Sequence, residues 1–430
     1  MESGLHSIEQ KRALAAHRFS EIRTSTITQA KNSLSLQLII LLASLSALVA
    51  AAIDMYLPAF PTVATSLDIT PGQVQQTLTI FLIGLGIGQG LYGPFLDRYG
   101  RRPPLLIGIA LFTIGSLAAA LSTSFEGLLI ARFLQALGAA AGSVASRAIV
   151  TDTCDPQSSA RIYSMLMQVM MIAPITAPML GSLILLYGEW HLIFWALTLF
   201  GIISGFFTIR LLPETLPVER RVPLSMRSVV RNYAIQLSNP SFFFYTLATS
   251  CTLGCLFIYI NNSPFVFIEM FALSPAQFSY IFAANALVMI GISQINLRLL
   301  KFYSVTRVLF IGLGGFIAIG LVLLILVQFG WEALWSYSIL LGLGMAMLGL
   351  ITGNLTASTM AHTQQHAGIA SALMGLIQFL LAATIGFLAS IAAEPSLYTL
   401  PIALLLLGIA AMGLCLIGRH FALRGATPDP

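Results

Sequence analysis

Charged side chains are what this chain has least of: Lys, Arg, Asp and Glu together make up 9% of its 430 residues, against about a quarter in an ordinary soluble domain. So small a share excludes a water-facing surface over most of the length, and it equally excludes a polar disordered chain. Cysteine is scarce too. Cys154, Cys251, Cys255 and Cys415 form neither a disulfide framework nor a zinc spacing, and Cys251 and Cys255, one helical turn apart in an apolar run, read as packing residues. Catalytic signatures are missing: there are no paired carboxylates, no nucleophile–base arrangement and no phosphate loop, which argues against an enzyme. His362 and His366 have the i,i+4 spacing of a metal pair, but no carboxylate or cysteine accompanies them, and a solvated loop is the better reading. Residues 1–33 are polar and contain no short apolar core with a cleavage site, so no cleaved signal peptide is expected there.

What the chain does have is long apolar runs. Hydrophobic residues make up 57% of it, arranged in twelve runs at roughly 36–57, 72–94, 105–122, 127–148, 161–187, 190–211, 240–262, 276–298, 305–328, 333–355, 367–392 and 397–418. With the amino terminus inside, the outer loops hold Asp68, Glu126, Glu189, Glu269, Glu332 and Glu394 and no lysine or arginine. Of the 21 basic residues, only Arg132 falls outside the inner loops, tails and inner helix ends. The positive-inside rule therefore places both termini in the cytoplasm, and the net charge of +5 reflects topology rather than nucleic-acid binding.

A longer connection, 213–239, carries Arg220, Arg221, Arg227 and Arg231 and reads as a linker with an amphipathic helix on the inner leaflet. It divides the spans six and six, into bundles at 34–212 and 240–418 flanked by cytoplasmic tails at 1–33 and 419–430. An internal repeat agrees. Ala160, Ile162, Ser164, Leu166 and Met167 recur 207 residues later as Ala367, Ile369, Ser371, Leu373 and Met374. The expected fold is an all-α integral membrane protein with twelve transmembrane helices in two pseudo-symmetric six-helix bundles.

Two polar residues lie inside these runs. Asp54, in Ala52-Ile53-Asp54-Met55-Tyr56-Leu57-Pro58, falls in the outer third of span 1, where an ionised carboxylate costs about 2.5–3.5 kcal/mol. Arg132 in span 4 has similar depth, and a pair across a central cavity is expected. Burial and a guanidinium would act on the acid in opposite directions, which can poise a proton site. The plainer alternatives are a fixed ion pair stapling spans 1 and 4, or an acid shallow enough to be hydrated. In span 5, Pro174 and Pro178 remove backbone donors and invite a kink beside small residues that admit a close helix.

The short stretch Gly93-Pro94-Phe95-Leu96-Asp97-Arg98-Tyr99-Gly100-Arg101-Arg102-Pro103-Pro104-Leu105 concentrates charge between two spans and reads as a loop at the membrane surface. Gly93 would allow close backbone approach, Gly100 an unusual backbone angle, and Asp97 a partner among the arginines. The plain reading is a positive-inside anchor.

This stretch resembles the signature between the second and third helices of the major facilitator superfamily. Asp54-Met55-Tyr56-Leu57-Pro58, Gln89-Gly90-Leu91-Tyr92-Gly93-Pro94, Arg132-Phe133-Leu134-Gln135, the Pro174/Pro178 segment and Tyr259-Ile260-Asn261-Asn262-Ser263-Pro264-Phe265 are similar to the bicyclomycin-resistance (Bcr/CflA) drug:proton antiporters. Ser182, where that family often has a second glycine, is a departure. The resemblance implies that Asp54 carries the proton, with Arg132 as its partner or a proton-relay element, and that Gln135 helps line the cavity. Gly93, Asp97, Arg98, Gly100, Arg101 and Arg102 would form an inner gate, with Pro174 and Pro178 as hinge and seal.

Polar and soft residues of cavity-facing spans supply candidate substrate contacts: Tyr56, Met165, Gln168, Met171, Tyr259, Asn261, Asn262, Asn285 and Gln378. The expected activity is proton-coupled export of small amphipathic compounds across the inner membrane by a monomer in contact with membrane lipids, with no cofactor beyond protons. Export of an endogenous siderophore, sugar or amino acid keeps the same fold, and a receptor without transport is the reading from another class.

Overall fold

Local chemistry starts many of the helices. Thr70-Pro71-Gly72-Gln73 and Ser274-Pro275-Ala276-Gln277 each form a reciprocal capping box with proline in the first turn, where its missing N–H costs nothing. Ser35, Ser124, Asn239 and Ser304 cap four more starts through a side-chain oxygen. In this computed structural model, residues 34–221, 226–363, 367–392 and 395–425 are described. The tail at 1–33, part of the linker, His366, Glu394 and the last five residues lie outside them.

Twelve helices among the described residues are long and apolar enough to cross a membrane: Leu36–Leu67, Pro71–Tyr99, Arg102–Ala120, Phe125–Thr153, Arg161–Leu185, His191–Leu211, Pro240–Met270, Pro275–Leu299, Val305–Gln328, Leu334–Met360, Gly368–Ile391 and Thr399–Arg424. They are spans 1 to 12 below, and they form two six-helix bundles. Three boundaries differ from the sequence reading. Span 1 runs ten residues further, so Asp54 is not near its outer end. Span 2 continues through Tyr99, so Gly93 to Arg98 are helical and the connection to span 3 is only Gly100 and Arg101. Span 12 carries helix into the expected tail, as far as Gly425.

Between the bundles, the linker forms a helix, Met226–Leu237, whose Tyr233 and Leu237 pack with Phe242, Ala370, Leu373 and Met374 of the second bundle. Gln236 and Asn239 donate to the His362 carbonyl at 3.4 and 2.9 Å. The linker helix is thus seated on the second bundle.

The bundles meet where span 2 packs along span 11 and span 5 along span 8. At the end away from the termini, Gln75 Nε2 donates to Asn262 Oδ1 at 3.2 Å and Ser279 Oγ to the Pro178 carbonyl at 3.0 Å. The Phe60 and Phe265 rings lie 6.0 Å apart between the same halves. That end is closed by polar and aromatic contacts together.

Candidate functional site: a helix break at a buried acid

Proline explains where span 1 breaks. Pro58 has no N–H for the carbonyl of Asp54 and its ring crowds that oxygen, so an α-helix that includes residue 58 cannot continue regularly from residue 54. The α-helix ends at Asp54, a 3₁₀ turn covers Leu57–Ala59, and a second α-helix, Phe60–Leu67, follows. The acid therefore sits at the open C-terminal end of a helix, where backbone carbonyls lack helical partners. It is 5% exposed.

Arg132 answers that break, though not by pairing with the acid. Its Nη1 donates to the Ala52 carbonyl at 2.9 Å and to Gln135 Oε1 at 2.6 Å. Gln135 in turn donates to Ser116 Oγ at 2.8 Å. The guanidinium carbon lies 4.3 Å from the Phe81 ring centre, 5.0 Å from that of Tyr56 and 5.7 Å from that of Phe194. Arg132 Nε and Nη2 are buried without a hydrogen-bond partner. No ion pair or hydrogen bond to the Asp54 carboxylate is found among the described residues, so the expected Asp54–Arg132 pair is not made. The cation instead complements the negative end of the span 1 helix and the faces of three rings.

Tyr56 and Gln135, expected as cavity contacts, are fully buried in the packing around Arg132. Tyr56 places its hydroxyl 3.3 Å from Thr77 Oγ1. On the other half, Asn285 Nδ2 donates to the Tyr259 hydroxyl at 3.1 Å, and the Tyr259 ring stacks on Phe282 at 5.4 Å. Asn262 bonds its own helix at Ile258 while accepting from Gln75. Asn261 is 1% exposed with an Oδ1 that lacks a partner, and the 207-residue offset of the repeat carries Asp54 onto it. Met165 and Met171 are half-buried, Gln378 likewise, and Gln168 is exposed; no described contact joins these four to Asp54. A separate apolar cavity of about 360 Å³ lies between spans 1, 5 and 6, lined by Ala51, Met55, Thr176 and Phe200 among others.

Span 5 is an unbroken helix through Pro174 and Pro178. The Pro178 carbonyl accepts from Ser279 of span 8, and a Cβ on Gly181 would collide with the Met55 carbonyl. The proline segment thus holds the other half on one side, while the small residue after it holds the helix break on the other.

At the end bearing the termini, Gly100 has φ +92°, a conformation glycine adopts without strain. The sharp turn brings Arg101 back beneath the helices. Its Nη1 meets Asp97 Oδ1 at 2.6 Å, its Nε meets Asp152 Oδ2 at 2.7 Å, and its Nη2 reaches Asp152 Oδ1 at 3.3 Å. Arg102 donates to the Ile209 carbonyl at 2.8 Å. Arg98 lies over the Tyr99 ring, outside this network, and nothing lies within 4 Å of where a Cβ on Gly93 would be. The close approach expected there does not occur.

Asp152 and Glu214 escaped the sequence reading as gate residues. Glu214 accepts from the backbone N–H groups of Arg101 at 2.8 Å, Arg102 at 3.3 Å and Leu216 at 3.0 Å, and lies 4.0 Å from Arg221. It caps the start of span 3 from the linker. The available signal was an isolated acid, in Leu212-Pro213-Glu214, heading a connection rich in arginine.

Burial pushes the Glu214 carboxyl up, but the three backbone donors and the Arg221 guanidinium outweigh it and hold it below its ordinary value of 4.5. A depressed value in the folded state means that the brace stabilises fully above the ordinary value of 4.5 and is lost as pH falls through the lower folded-state value. Glu214→Gln should lower the melting temperature at pH 7, and the gap from the unsubstituted protein should shrink as the pH is taken below 4.5. Thermal unfolding in detergent across that interval measures it, and a gap independent of pH would remove the charge from the explanation.

Comparison with known proteins came to the same architecture. The model of the Major Facilitator Superfamily matches residues 42–387. An uncharacterized MFS-type transporter, YdgK of Bacillus subtilis, is 37% identical over 79% of this chain and 85% of its own length. A bicyclomycin resistance protein homolog of Haemophilus influenzae is 31% identical over 84% of this chain and 92% of its own. Among solved structures, a D-xylose-proton symporter superposes with TM-score 0.72 at 12% identity, covering 88% of this chain and 97% of that one, a likeness of fold alone.

Proposed function

The chain belongs to the Major Facilitator Superfamily, and from that premise we propose that it exports small amphipathic toxic compounds in exchange for protons. The resistance named for the Haemophilus influenzae relative points to the substrate class. The observation that carries the coupling is Asp54: a nearly fully buried acid at a helix break, with no basic side chain pairing its carboxylate among the described residues. An acid already neutralised by a salt bridge resists protonation, whereas an unpaired buried acid can take up and release a proton as its surroundings change.

Alternating access would open and close two ends built differently. Gln75–Asn262, Ser279–Pro178 and Phe60–Phe265 seal the end away from the termini, while the Asp97–Arg101–Asp152 network and Glu214 brace the first half at the other. Protonation of Asp54 would weaken substrate binding, so that proton and substrate occupy the site in turn. Each charge crossing 100 mV supplies about 2.3 kcal/mol. The protein would act as a monomer in the inner membrane with both termini cytoplasmic, its bundles at 34–212 and 240–418. Purified protein in lipid vesicles should release protons when bicyclomycin or a lipophilic cation is added, and should expel the compound when a pH gradient is imposed. Substrate movement indifferent to the gradient would overturn the coupling.

A further inference from the structure

At the level of the acid on span 1, the opposite half carries an uncharged group whose hydrogen-bonding is half committed. Tyr259 is buried, its ring fixed on Phe282, and its oxygen accepts from Asn285 Nδ2 at 3.1 Å. The amide is itself held, because Asn285 Oδ1 lies against Gly342 of span 10 closely enough that a Cβ there would collide with it. A phenol has one hydrogen and can donate once. With Asn285 as donor, that hydrogen is directed elsewhere, and no described acceptor takes it. The 3₁₀ turn just after Asp54 packs against spans 7 and 8, and Phe60 and Phe265 meet across the same boundary.

We propose that the Tyr259 hydroxyl, oriented by Asn285, is the group on the second bundle that reads the protonation state of Asp54: it donates a hydrogen bond to the carboxylate when the proton has left and releases it when the proton returns. This rests on Asp54 being the coupling acid. It gives Tyr259 and Asn285 a positioning role in coupling rather than a role as substrate contacts. Phe60 and Phe265 lie six residues beyond Asp54 and Tyr259 on spans that run the same way, so their contact sets the acid and the hydroxyl at one level across the boundary; no hydrogen bond between the two is found among the described residues, the arrangement expected while the acid holds its proton. Because Asn285 and Gly342 belong to spans 8 and 10, the tie would run from the break in span 1 into three helices of the second half. A charge change on one bundle would thereby draw on the other.

The other titratable groups at this level are few. Arg132 faces the break from span 4 but is turned to the Ala52 carbonyl, and Tyr56 on the same segment faces Thr77 and Arg132. Spans 2, 5 and 8 carry their charged residues near the ends bearing the inner connections, Tyr92 and Tyr163 lie toward those ends, and Tyr280 of span 8 is exposed. Span 11 carries no charged residue between Gly368 and Ile391.

Tyr259→Phe keeps the ring and its stacking and removes only the hydrogen bond. The test is the infrared carboxyl band of the full-length protein in lipid, identified as that of Asp54 by its absence in Asp54→Asn and followed as pH is raised. In Tyr259→Phe its midpoint should move upward by about one pH unit, the effect of losing one donor to an ionised group. The pH profile of export should move the same way. Asp54→Asn/Tyr259→Phe should transport no differently from Asp54→Asn alone. A midpoint and profile unchanged by Tyr259→Phe would overturn this inference while leaving the acid in place. A carboxyl band unaffected by Asp54→Asn would overturn the antiport reading itself, and this one with it.

Discussion

Asp54→Asn should abolish export driven by a pH gradient, bringing it to the level of protein-free vesicles, while the protein still inserts and folds. The amide has nearly the shape of the acid but cannot lose a proton, so any cycle that alternates proton and substrate at this position stops. Stability should not suffer. Keeping a carboxylate ionised deep in a helix costs about 2.5–3.5 kcal/mol, and Asp54 has no described salt bridge whose loss would offset the relief. The variant should therefore melt at or above the temperature of the unsubstituted protein. Binding should weaken, because the amide stands for the protonated acid, but downhill exchange of labelled compound for unlabelled at high concentration should persist, since it needs no net proton movement. The decisive measurement is efflux under an imposed gradient together with fluorescence-detected unfolding, and coupled efflux at the original rate would end the assignment.

Arg132→Met is the second change with a large expected effect, and it should separate stability from activity. The arginine is entirely buried among Phe81, Tyr56 and Phe194, with Nε and Nη2 unsatisfied. Desolvating a cation without a carboxylate is costly, and buried charged groups replaced by well-packed apolar ones often leave stability unchanged or raised. Methionine fills similar volume and makes favourable contacts with rings. Against that stands the loss of two hydrogen bonds, to the Ala52 carbonyl and to Gln135 Oε1, each about 1.5–3 kcal/mol for a charged donor. The melting temperature should move by only a few degrees.

Transport should fall at least about tenfold, because the carbonyl two residues before Asp54 loses the group that fixes the end of its helix, and small displacements of a reacting group are expensive. A collapse of folding with no folded material recovered would show that Arg132 is chiefly structural. Undiminished transport would show that the helix end needs no such hold.

Both predictions depend on a detail that the linear pattern misjudged. Depth along spans 1 and 4 brings Asp54 and Arg132 to one level, and opposite charges at one level invite a pair. The structure gives the arginine instead to the Ala52 carbonyl, in the last turn before the α-helix ends at Asp54. Pro58 was visible in the sequence; the geometry that aims a guanidinium at one oxygen rather than another was not. The inner cluster shows the same division. Asp97 and Arg101, four residues apart around a turn, could be read as partners. Asp152 and Glu214 come from 51 and 113 residues away to complete the arginine's surroundings, and no local spacing announces such meetings. Arg98, next to Asp97 in the chain, points to a ring and takes no part.

The sequence by itself determined the twelve spans, their start signals in Thr-Pro-x-Gln and Ser-Pro-x-Gln, the split at a basic linker and the presence of one acid where lipid-depth chemistry disfavours it. These follow from periodicity, capping and the cost of charge in hydrocarbon, which act over a few residues at a time. Tertiary structure alone decided where span 1 breaks in relation to its neighbours, which oxygen Arg132 holds, which amide meets the Tyr259 hydroxyl and which carboxylates surround Arg101. Those depend on directions and distances of a few ångströms between side chains far apart in the chain, and a hydrogen bond is lost within an ångström of misplacement.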